Sequence, residues 1–544
     1  MYLEINLNDT TVQHSIHSFR PKPALEVFRV IDKASKDKKI DGIILNAGSF
    51  YGSREYLWEL RDALEQFKSN GKKVFAYISS ADMDVYYLVS IADKIIMDEQ
   101  GTLSMIGYAW GRGYVRHSLE KLGISVRELR YLEYKSAAET YTRDSMSEAD
   151  RRQYGEYLDN IFNVTRNTII KARNWTDEEF DEILNRDFMF SAKRALNRKL
   201  IDRTGRKDAV IEVINEVDGA KPKRYVLFGD SKSSLMGNNS SYTAAQSGFS
   251  LTRKPVIAVV NASGQTDFDR GMNTWNLSQI IHELAENKRV KAVVIRVNSP
   301  GGNAEAADIL SETIRYAKQK KPVVVSMGEV AASGGYWVSM NASHITATPY
   351  TLTGSIGVIA SWFYDNGLGS KLGVTSDFIQ HGNHADLMTG FIIPYRDLTA
   401  EEEERFKVTV LDLYEEFVTK AAVARNMSVE KIEAAAQGRV FSGAAALEAG
   451  LIDSIGGLNS AIKTAKELAK IPEGKKVLYN EYPKQKFFEK LLMRFTLTET
   501  LIKKSGTQAG AAAFFTNLLL PGSDIHYRIE HNGKAMPILP MEFF

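Results

Sequence analysis

Residues 290–302 read VKAVVIRVNSPGG, an apolar run that ends in serine, proline and two glycines. Short apolar runs bounded by turn residues are typical of strands that are buried on both faces of a parallel sheet. A related segment, IDGIILNAGSFYG, occupies residues 40–52, which is 250 positions earlier. The chain therefore holds two copies of a buried strand that leads into a loop of small residues.

The same spacing continues along the chain. The further matches are YYLVSIADKI (86–95) with YWVSMNASHI (336–345), MIG (105–107) with SIG (355–357), LGI (from 122) with LGV (from 372), and, at 251 positions, FSAKRALNRKLID (190–202) with FSGAAALEAGLID (441–453). Two unrelated domains would not keep a common register, so the pattern predicts an internal duplication.

Each copy alternates apolar runs with amphipathic helical patterns, which predicts an α/β fold: two tandem repeats with parallel-rich sheets and flanking helices. A later helix begins with a capping pattern in both copies, Ser147 with Asp150 and Thr399 with Glu402. We expect an N-terminal repeat at 1–228 and a C-terminal repeat at 249–478. Between them lies a linker or mobile loop at 229–248, rich in Ser, Gly and Asn, and an extension at 479–544 matches neither copy.

Composition excludes several classes of function. The 544 residues include 69 basic and 67 acidic ones, a net charge of +2 that gives no indication of nucleic acid as a partner. Cysteine is absent, which removes thiol catalysis and disulfides. No apolar run is long enough to span a membrane; the longest, at 509–522, is too short, and the start shows no leader pattern. Neither HExxH nor a Walker-type loop occurs, so no metal or nucleotide cofactor is indicated.

Three loops of small residues carry candidate chemistry. In EVAASGGYWVSM (329–340), Ser333 follows a buried strand and opens a helix, a junction that can expose a nucleophile. The alternative is a turn whose small residues only allow close packing. In NSPGGNAEAA (298–307), backbone amides of the glycine pair could form an oxyanion hole, or the segment is only a type II turn. The third loop is LTGSIG (352–357), which carries another serine.

Four motifs, RVNSPGG, VAASGGYW, TLTGSIG and, in the first copy, YKSAAETYTRDSMS, occur in this order. Together they resemble the long, duplicated form of the signal peptide peptidase A family, serine endopeptidases with the Clp-protease/crotonase fold. The resemblance covers about residues 40–468. It implies a serine–lysine dyad of Ser333 as nucleophile and Lys135 as general base, with Ser355 orienting the lysine. It places the oxyanion hole at the backbone amides of the following residues: Gly301, Gly302 and Gly334.

The duplication shows that neither copy holds both dyad members. The position equivalent to Lys135 is Ala385, and the position equivalent to Ser333 is Met83. One active site would then form where the two repeats meet, or where neighbouring chains meet. A lysine with the ordinary pKa of about 10.4 is protonated at neutral pH, so we expect Lys135 to be buried and its pKa to be lowered. Its acidic neighbours, Glu133 and Glu139, must point away from the amine.

Histidine is the usual base for a catalytic serine, and nine are present. His344 matches Lys94 of the first copy, which indicates a structural or surface position. His381 and His384 lie near Ala385 and are the next candidates for the base, although a solvated loop explains them as well.

The resemblance implies hydrolysis of short apolar or unfolded peptides, such as cleaved signal peptides, without ATP. It also implies a homotetramer and a membrane anchor that this chain lacks, with the catalytic part at the inner membrane facing the periplasm or the outside. Two other functions stay open: a crotonase-fold enzyme acting on acyl-CoA, and an inactive scaffold that organises membrane proteins.

Overall fold

The computed structural model describes residues 1–7, 24–219, 225–227 and 254–483. The strands in this part of the chain are β1 (Tyr2–Asn6), β2 (Gly42–Gly48), β3 (Lys73–Ala81), β4 (Lys94–Ser104), β5 (Ile124–Leu129), β6 (Met189–Ser191), β7 (Arg203–Thr204), β8 (Tyr225–Leu227), β9 (Val256–Ser263), β10 (Val290–Ser299), β11 (Val323–Ala332), β12 (His344–Ala347), β13 (Leu352–Gly354), β14 (Ala360–Asp365), β15 (Val440–Ser442), β16 (Ser454–Ile455) and β17 (Leu478–Tyr482).

The helices are α1 (Ala24–Lys36), α2 (Arg54–Ser69), α3 (Met83–Val89), α4 (Arg116–Leu122), α5 (Glu139–Thr142), α6 (Glu148–Arg173), α7 (Asp177–Glu182), α8 (Ala192–Asn197), α9 (Ala209–Asp218), α10 (Thr274–Glu286), α11 (Ala304–Lys320), α12 (Gly334–Met340), α13 (Leu368–Leu372), α14 (Ala400–Arg425), α15 (Val429–Ala434), α16 (Gly443–Glu448) and α17 (Leu458–Leu468). A π-helical turn, Ile183–Asp187, follows α7.

Two sheets with the same strand order form the two repeats. The first runs β6-β4-β3-β2-β1-β8, with β7 beside β4. The second runs β15-β13-β11-β10-β9-β17, with β12 beside β11 and β16 beside β12. Neighbouring strands are parallel except for β4 with β6 and β13 with β15. The predicted fold class, two tandem α/β repeats with parallel-rich sheets, is confirmed.

Local sequence explains where the long helices begin. Ser147 accepts a hydrogen bond from the Asp150 amide at the start of α6. Thr399 and Glu402 form a complete capping box at the start of α14, each side chain bonding to the other residue's amide. Both caps satisfy amides that have no acceptor within the helix.

The two repeats are joined by a two-stranded sheet with one strand from each repeat, and each repeat contributes side chains to the other's hydrophobic core. Strand β5 of the first repeat pairs antiparallel with β14 of the second, from Ile124 opposite Asp365 to Leu129 opposite Ala360. Each hydrophobic core also contains side chains of the other repeat: Leu352 packs in the first core and Leu129 in the second. Burial of apolar surface therefore holds the repeats together.

A buried ionic cluster adds a specific contact between the repeats. Arg296 on β10 forms ion pairs with Glu55 and Glu59 of α2, the latter at 2.7 Å between Nη1 and Oε1. The Leu458 amide donates to the same Glu59 oxygen at 3.0 Å. Breaking such a pair leaves an uncompensated buried charge, so it favours one docking geometry.

The expected domain limits stay predictions, but two details bear on them. Strand β17 begins at Leu478, continues past the expected end of the C-terminal repeat, and pairs in parallel with β9, as β8 pairs with β1. The second sheet therefore reaches Tyr482. The expected linker at 229–248 and the apolar stretch at 509–522 lie outside the described residues, as does the extension beyond residue 483. Within the described ranges, no helix is both long and apolar enough to cross a bilayer.

Candidate active site

Ser333 lies at the junction between β11 and α12, directly before the first helical residue, and its side chain is buried. Its backbone has φ +57°, a conformation that residues other than glycine adopt rarely. The Ser333 amide donates to the Gly354 carbonyl at 2.8 Å, and its carbonyl accepts from the Trp337 amide. The hydroxyl makes no capping bond to the helix, so it is available to a group outside the turn.

Close approach of three backbone segments explains the glycines around this serine. A Cβ atom on Gly334 would lie 2.7 Å from Thr266 Oγ1 and 3.0 Å from the Gly301 Cα. A Cβ on Gly302 would lie 2.4 Å from the Thr266 carbonyl oxygen, and Gly302 has φ +149°. Only glycine fits at these two positions without displacing the backbone.

Lys135 comes from the other repeat, in the loop after β5, and reaches Ser333 across the interface. Its side chain is among the largest that are fully buried, with 1% exposure. The Lys135 Nζ lies 2.6 Å from Ser333 Oγ, 2.8 Å from the Ser355 carbonyl oxygen and 3.0 Å from Ser355 Oγ. Two residues that are 198 positions apart in sequence are thus in hydrogen-bond contact.

Ser355 is held in the second repeat by its own backbone. It has φ +51°, and its amide donates to the Arg439 carbonyl at 2.7 Å. Because both its carbonyl and its hydroxyl contact Lys135 Nζ, Ser355 fixes the direction from which the amine approaches Ser333.

The segment before β15 contacts the loop that carries Lys135, and the sequence analysis did not predict this contact. The Tyr134 amide donates to the Gln437 carbonyl at 2.9 Å, and the Gly438 amide donates to the Ile356 carbonyl at 2.8 Å. Gly438 has φ +82°, and a Cβ there would lie 2.6 Å from the Lys135 Cβ. The duplication offered one signal for this glycine. At the 251-residue spacing Gly438 aligns with Asp187, so the second repeat has a glycine where the first repeat has a side chain.

A polar cluster at the start of α6 holds the other side of the lysine loop, and it too was not predicted. Ser136 donates to Asp150, and Arg112 contacts the Ser136 carbonyl at 3.0 Å and Asp150 at 3.3 Å. Gln153 Nε2 donates to the Tyr134 carbonyl at 3.0 Å, while its Oε1 accepts from the Val440 amide at 3.1 Å. Gln153 therefore joins the lysine loop to the second repeat.

The two acidic neighbours of Lys135 are bound elsewhere. Glu133 is exposed and pairs with Arg152 at 3.4 Å. Glu139 accepts from Arg130 at 2.7 Å and from the Ser147 amide at 3.0 Å. Burial opposes its ionisation, but the hydrogen bonds from Ser147 and Arg130 hold the pKa of the Glu139 carboxyl below its ordinary value.

The three candidate oxyanion amides differ in whether they already donate a hydrogen bond within the chain. The Gly301 amide donates to Ser299 Oγ at 3.2 Å, inside its own loop. Gly334 is the first residue of α12, so its amide has no acceptor within the helix. A Cβ placed on Gly334 would lie 3.3 Å from the Gly302 nitrogen, so these two amides are close together beside Ser333.

His344 and His384 each contact another side chain of the second repeat, and His381 is exposed. His344 contacts Ser454 Oγ at 2.8 Å, and His384 contacts Glu402 at 2.8 Å. Met83 is buried and is the first residue of α3, so it lies one position further into its helix than Ser333, which precedes α12. Ala385 lies in an exposed turn beside His384.

In the described ranges, no group of His, Asp and Glu is arranged to hold a metal ion. The site does offer a serine hydroxyl on a strained backbone, a buried amine in contact with that hydroxyl, and two neighbouring backbone amides, one of them at a helix start. A nucleophile with an adjacent base and amide donors is suited to acyl transfer.

Comparison with known proteins agrees with this chemistry. The family model Peptidase family S49 matches residues 66–221 and 315–472, once in each repeat. The chain is 34% identical over 474 residues to "Protease 4" of Salmonella typhi, covering 84% of this chain and 74% of that protein. It is 32% identical over 453 residues to "Serine protease SPPA, chloroplastic" of Arabidopsis thaliana, covering 82% of this chain and 65% of that protein.

Two of the solved structures that match cover less than half of the chain. A mutant of the 1510-N membrane-bound stomatin-specific protease is 16% identical, with a TM-score of 0.28, covering 43% of this chain and 99% of that one. A mutant of ClpP1 from Listeria monocytogenes is 15% identical, with a TM-score of 0.25, covering 38% of this chain and 94% of that one. On the family match in both repeats and the curated relatives, the chain belongs to peptidase family S49 and is a serine peptidase.

Proposed function

We propose that this protein is an endopeptidase that works through a Ser333–Lys135 dyad. The observation that carries the proposal is the 2.6 Å contact between Lys135 Nζ and Ser333 Oγ in a buried site. Burial disfavours the ammonium form of a lysine, and three of the contacts of this amine are with uncharged oxygens, those of the Ser333 hydroxyl and of the Ser355 carbonyl and hydroxyl. A neutral amine in this place can accept the hydroxyl proton.

We propose the following cycle for these groups. Lys135 takes the proton from Ser333 Oγ as the oxygen attacks the peptide carbonyl carbon. The Gly302 and Gly334 amides are the donors for the oxyanion that forms. Lys135 then gives the proton to the leaving nitrogen, and the peptide bond breaks to leave an ester on Ser333. A water that loses its proton to Lys135 attacks the ester, which releases the acid and restores the serine.

Ser355 is the positioning residue in this scheme, since it bonds Lys135 through two oxygens. The substrates that we propose are short apolar or unfolded peptides, such as cleaved signal peptides, hydrolysed without ATP. "Putative signal peptide peptidase SppA" of Enterococcus faecium, 34% identical over 232 residues, supports this substrate class by its name. We also propose a homotetramer at the cell inner membrane, with the site facing the periplasm or the outside.

Fluorophosphonate labelling with peptide mapping tests the dyad. We expect one labelled residue, Ser333, and loss of both labelling and peptide hydrolysis in Ser333→Ala. The matched control is Ser311→Ala, which removes another buried hydroxyl, one that donates to the Trp337 carbonyl. Hydrolysis that persists in Ser333→Ala contradicts the proposal. An unlabelled protein that binds acyl-CoA supports the crotonase alternative, and one without either property supports a scaffold.

A further inference from the structure

Three loops lie side by side at one edge of the second sheet. Strands β9, β10 and β11 are parallel neighbours, so the segments that follow them leave the sheet at the same edge. The loop after β11 carries Ser333, and the loop after β10 carries the glycine pair of the candidate oxyanion hole. Ligands of open α/β sheets bind outside the carboxyl ends of the strands. The proposed cycle uses two of these loops and leaves the third, residues 264–273 after β9, without a role.

The loop after β9 contacts the glycines of the candidate oxyanion hole. Thr266 is fully buried and forms a parallel bridge with Gly302. Its amide donates to the Gly301 carbonyl at 2.8 Å, and its own carbonyl accepts from the Asn303 amide at 2.8 Å. A Cβ built on Gly334 would lie 2.7 Å from the Thr266 hydroxyl oxygen. This loop is therefore packed directly beside the residues that we propose to hold the oxyanion.

Two stacked aromatic rings lie at the end of this loop. Phe268 stacks on Trp275, the second residue of α10, with ring centroids 5.5 Å apart and 24° between the ring planes. Trp275 is 57% exposed, whereas the other tryptophans of the chain are buried or packed against a hydrophobic core. The pair thus offers a flat apolar surface to a group that arrives from outside the chain.

Backbone contacts hold the two rings in place before any ligand binds. The Trp275 amide donates to the Phe268 carbonyl at 3.2 Å, and the Thr274 amide donates to the Asp267 carbonyl at 2.8 Å. Thr274 is fully buried, and its hydroxyl donates to the Ala306 carbonyl in the first turn of α11 at 3.0 Å. Because α11 begins directly after the oxyanion loop, this bond fixes the rings relative to the site. A preformed surface loses little conformational entropy when it binds a ligand.

We propose that Phe268 and Trp275 form a specificity site that binds a large apolar side chain of the peptide substrate. This role rests on the peptidase function proposed above, and it adds the place where one flank of the peptide is recognised. Strand β9 lies two strand spacings from β11, or about 10 Å, and an extended peptide advances about 3.3 Å per residue. The side chain that binds the rings therefore belongs to a residue about three positions from the bond that is cleaved.

The surroundings of the rings favour a peptide as the occupant. The rings are continuous with the candidate active site through Thr266, so an extended chain bound at Ser333 can reach them. The segment DFDR, residues 267–270, has two acidic residues and one basic residue. It therefore lacks the excess of positive charge that an anionic lipid surface attracts. A single pair of stacked rings also matches the size of one apolar side chain.

Internally quenched peptides measure the preference. The peptides share one cleavable centre and carry either Leu or Ser at each flanking position in turn. In the wild type we expect Leu to lower KM about tenfold relative to Ser at one position, about three residues from the bond. Trp275→Ala should abolish this difference at that position alone and change KM rather than kcat, since the contact is made equally in the ground and transition states. Trp275→Phe keeps a ring and should retain most of the preference.

Tyr316→Ala is the matched control for loss of a stacked ring. Tyr316 stacks on His282 with ring centroids 5.0 Å apart, toward the C-terminal ends of the same two helices, α10 and α11. This variant should keep the wild-type preference at every position. A preference for Leu that is as large in Trp275→Ala as in the wild type, or that Tyr316→Ala removes equally, overturns the proposal.

Tryptophan emission distinguishes failure of this site from failure of the peptidase function. In a Ser333→Ala background, the Leu peptide should change the emission more than the Ser peptide does, and Trp275→Phe should remove that difference. If the wild type cuts no peptide but the emission responds, the peptidase function fails and the binding site stands. If peptides are cut without any response, only the binding site fails. A response to phosphatidylcholine–phosphatidylglycerol vesicles, but to no peptide, overturns the proposal in favour of a lipid surface.

Discussion

The two repeats differ most at the point where each sends a strand into a short helix. In the first repeat, Asp82 precedes α3, and its carboxylate accepts from the Val85 amide at 2.8 Å. In the second, Ser333 precedes α12 with φ +57°, and its hydroxyl contacts Lys135 instead of the helix. The same junction serves as an ordinary helix cap in one repeat, and in the other it carries the serine that we propose as the nucleophile.

The difference lies in where the polar atom is directed. A capping side chain satisfies an orphan amide and stabilises its helix by about 1 kcal/mol. Ser333 gives up that bond and adopts a strained backbone, a state that persists only when the surroundings hold it. Here the Gly354 carbonyl and Lys135 hold it. Each prediction below changes one part of this contrast.

The largest effect is expected for the lysine. Lys135→Ala should lower kcat/KM for peptide hydrolysis by about 10⁴-fold or more, because dyad members act as a unit. The control is Lys94→Ala, a partly exposed lysine of the same repeat that lies 3.5 Å from Asp202. Near-wild-type hydrolysis by Lys135→Ala would eliminate this lysine as the base, and His381 and His384 would be tested next.

The glycine behind the lysine comes second. Gly438→Ala should lower kcat by about 100-fold with little change in KM, since its methyl group displaces Lys135 and small misplacements are costly. Gly474→Ala separates crowding from backbone strain: Gly474 has φ +78° but nothing within 4 Å of a Cβ. If both variants lose stability alike and neither loses kcat, Gly438 has no part in positioning the lysine.

Ser355→Ala should have a milder effect, about tenfold on kcat, because the Ser355 carbonyl still bonds Lys135 after the hydroxyl is gone. Ser361→Ala, on β14, removes a buried hydroxyl with no partner in the described structure and should leave kcat unchanged. A loss in Ser355→Ala as large as that in Lys135→Ala would give Ser355 a direct part in the chemistry.

Glu329 distinguishes the repeats in their response to pH. Its equivalent is Ser79, which bonds Ser49 at 3.1 Å. Burial raises the pKa of the Glu329 carboxyl to about 7, although Arg54 partly offsets this. The folded state therefore holds a proton that the unfolded state releases above its ordinary pKa of about 4.3, so stability falls as pH rises from there to about 7.

In Glu329→Gln this loss of stability with rising pH should be absent. The fall in the free energy of unfolding between pH 5 and pH 8 should therefore be smaller than in the wild type by about 1–2 kcal/mol. Denaturant titrations at the two pH values measure it, with the exposed Glu401→Gln as the control. A pH dependence that is unchanged in Glu329→Gln would assign the effect to other groups.

The last prediction is that a serine placed at position 83 gains no reactivity toward fluorophosphonate. Met83→Ser in a Ser333→Ala background restores a serine at the equivalent junction, yet we expect no fluorophosphonate labelling. The second repeat has Ala385 where the first has Lys135, so no base is supplied, and Asp82 caps the helix. A labelled Ser at position 83 would show that the junction alone activates a serine.

Much of the fold was predictable because both repeats show local sequence patterns that are typical of buried strands and capped helices. Buried strands such as β10 and capped helices such as α14 depend on residues that are close in sequence. The strand-to-helix position of Ser333 followed from the same kind of pattern, whereas the role of Lys135 came from resemblance. Gly438 was missed, because its importance comes from a contact with a loop of the other repeat.

By itself the sequence determined two α/β repeats at a fixed spacing, a serine in one copy and a lysine in the other, since these depend on residue types and periodicity. Only the tertiary structure decided that the two meet. Strand β5 leaves its own repeat to pair with β14, and this exchange brings Lys135 to Ser333 over 198 residues. Such a contact depends on which surfaces bury each other, and burial between distant segments leaves no periodic mark on the chain.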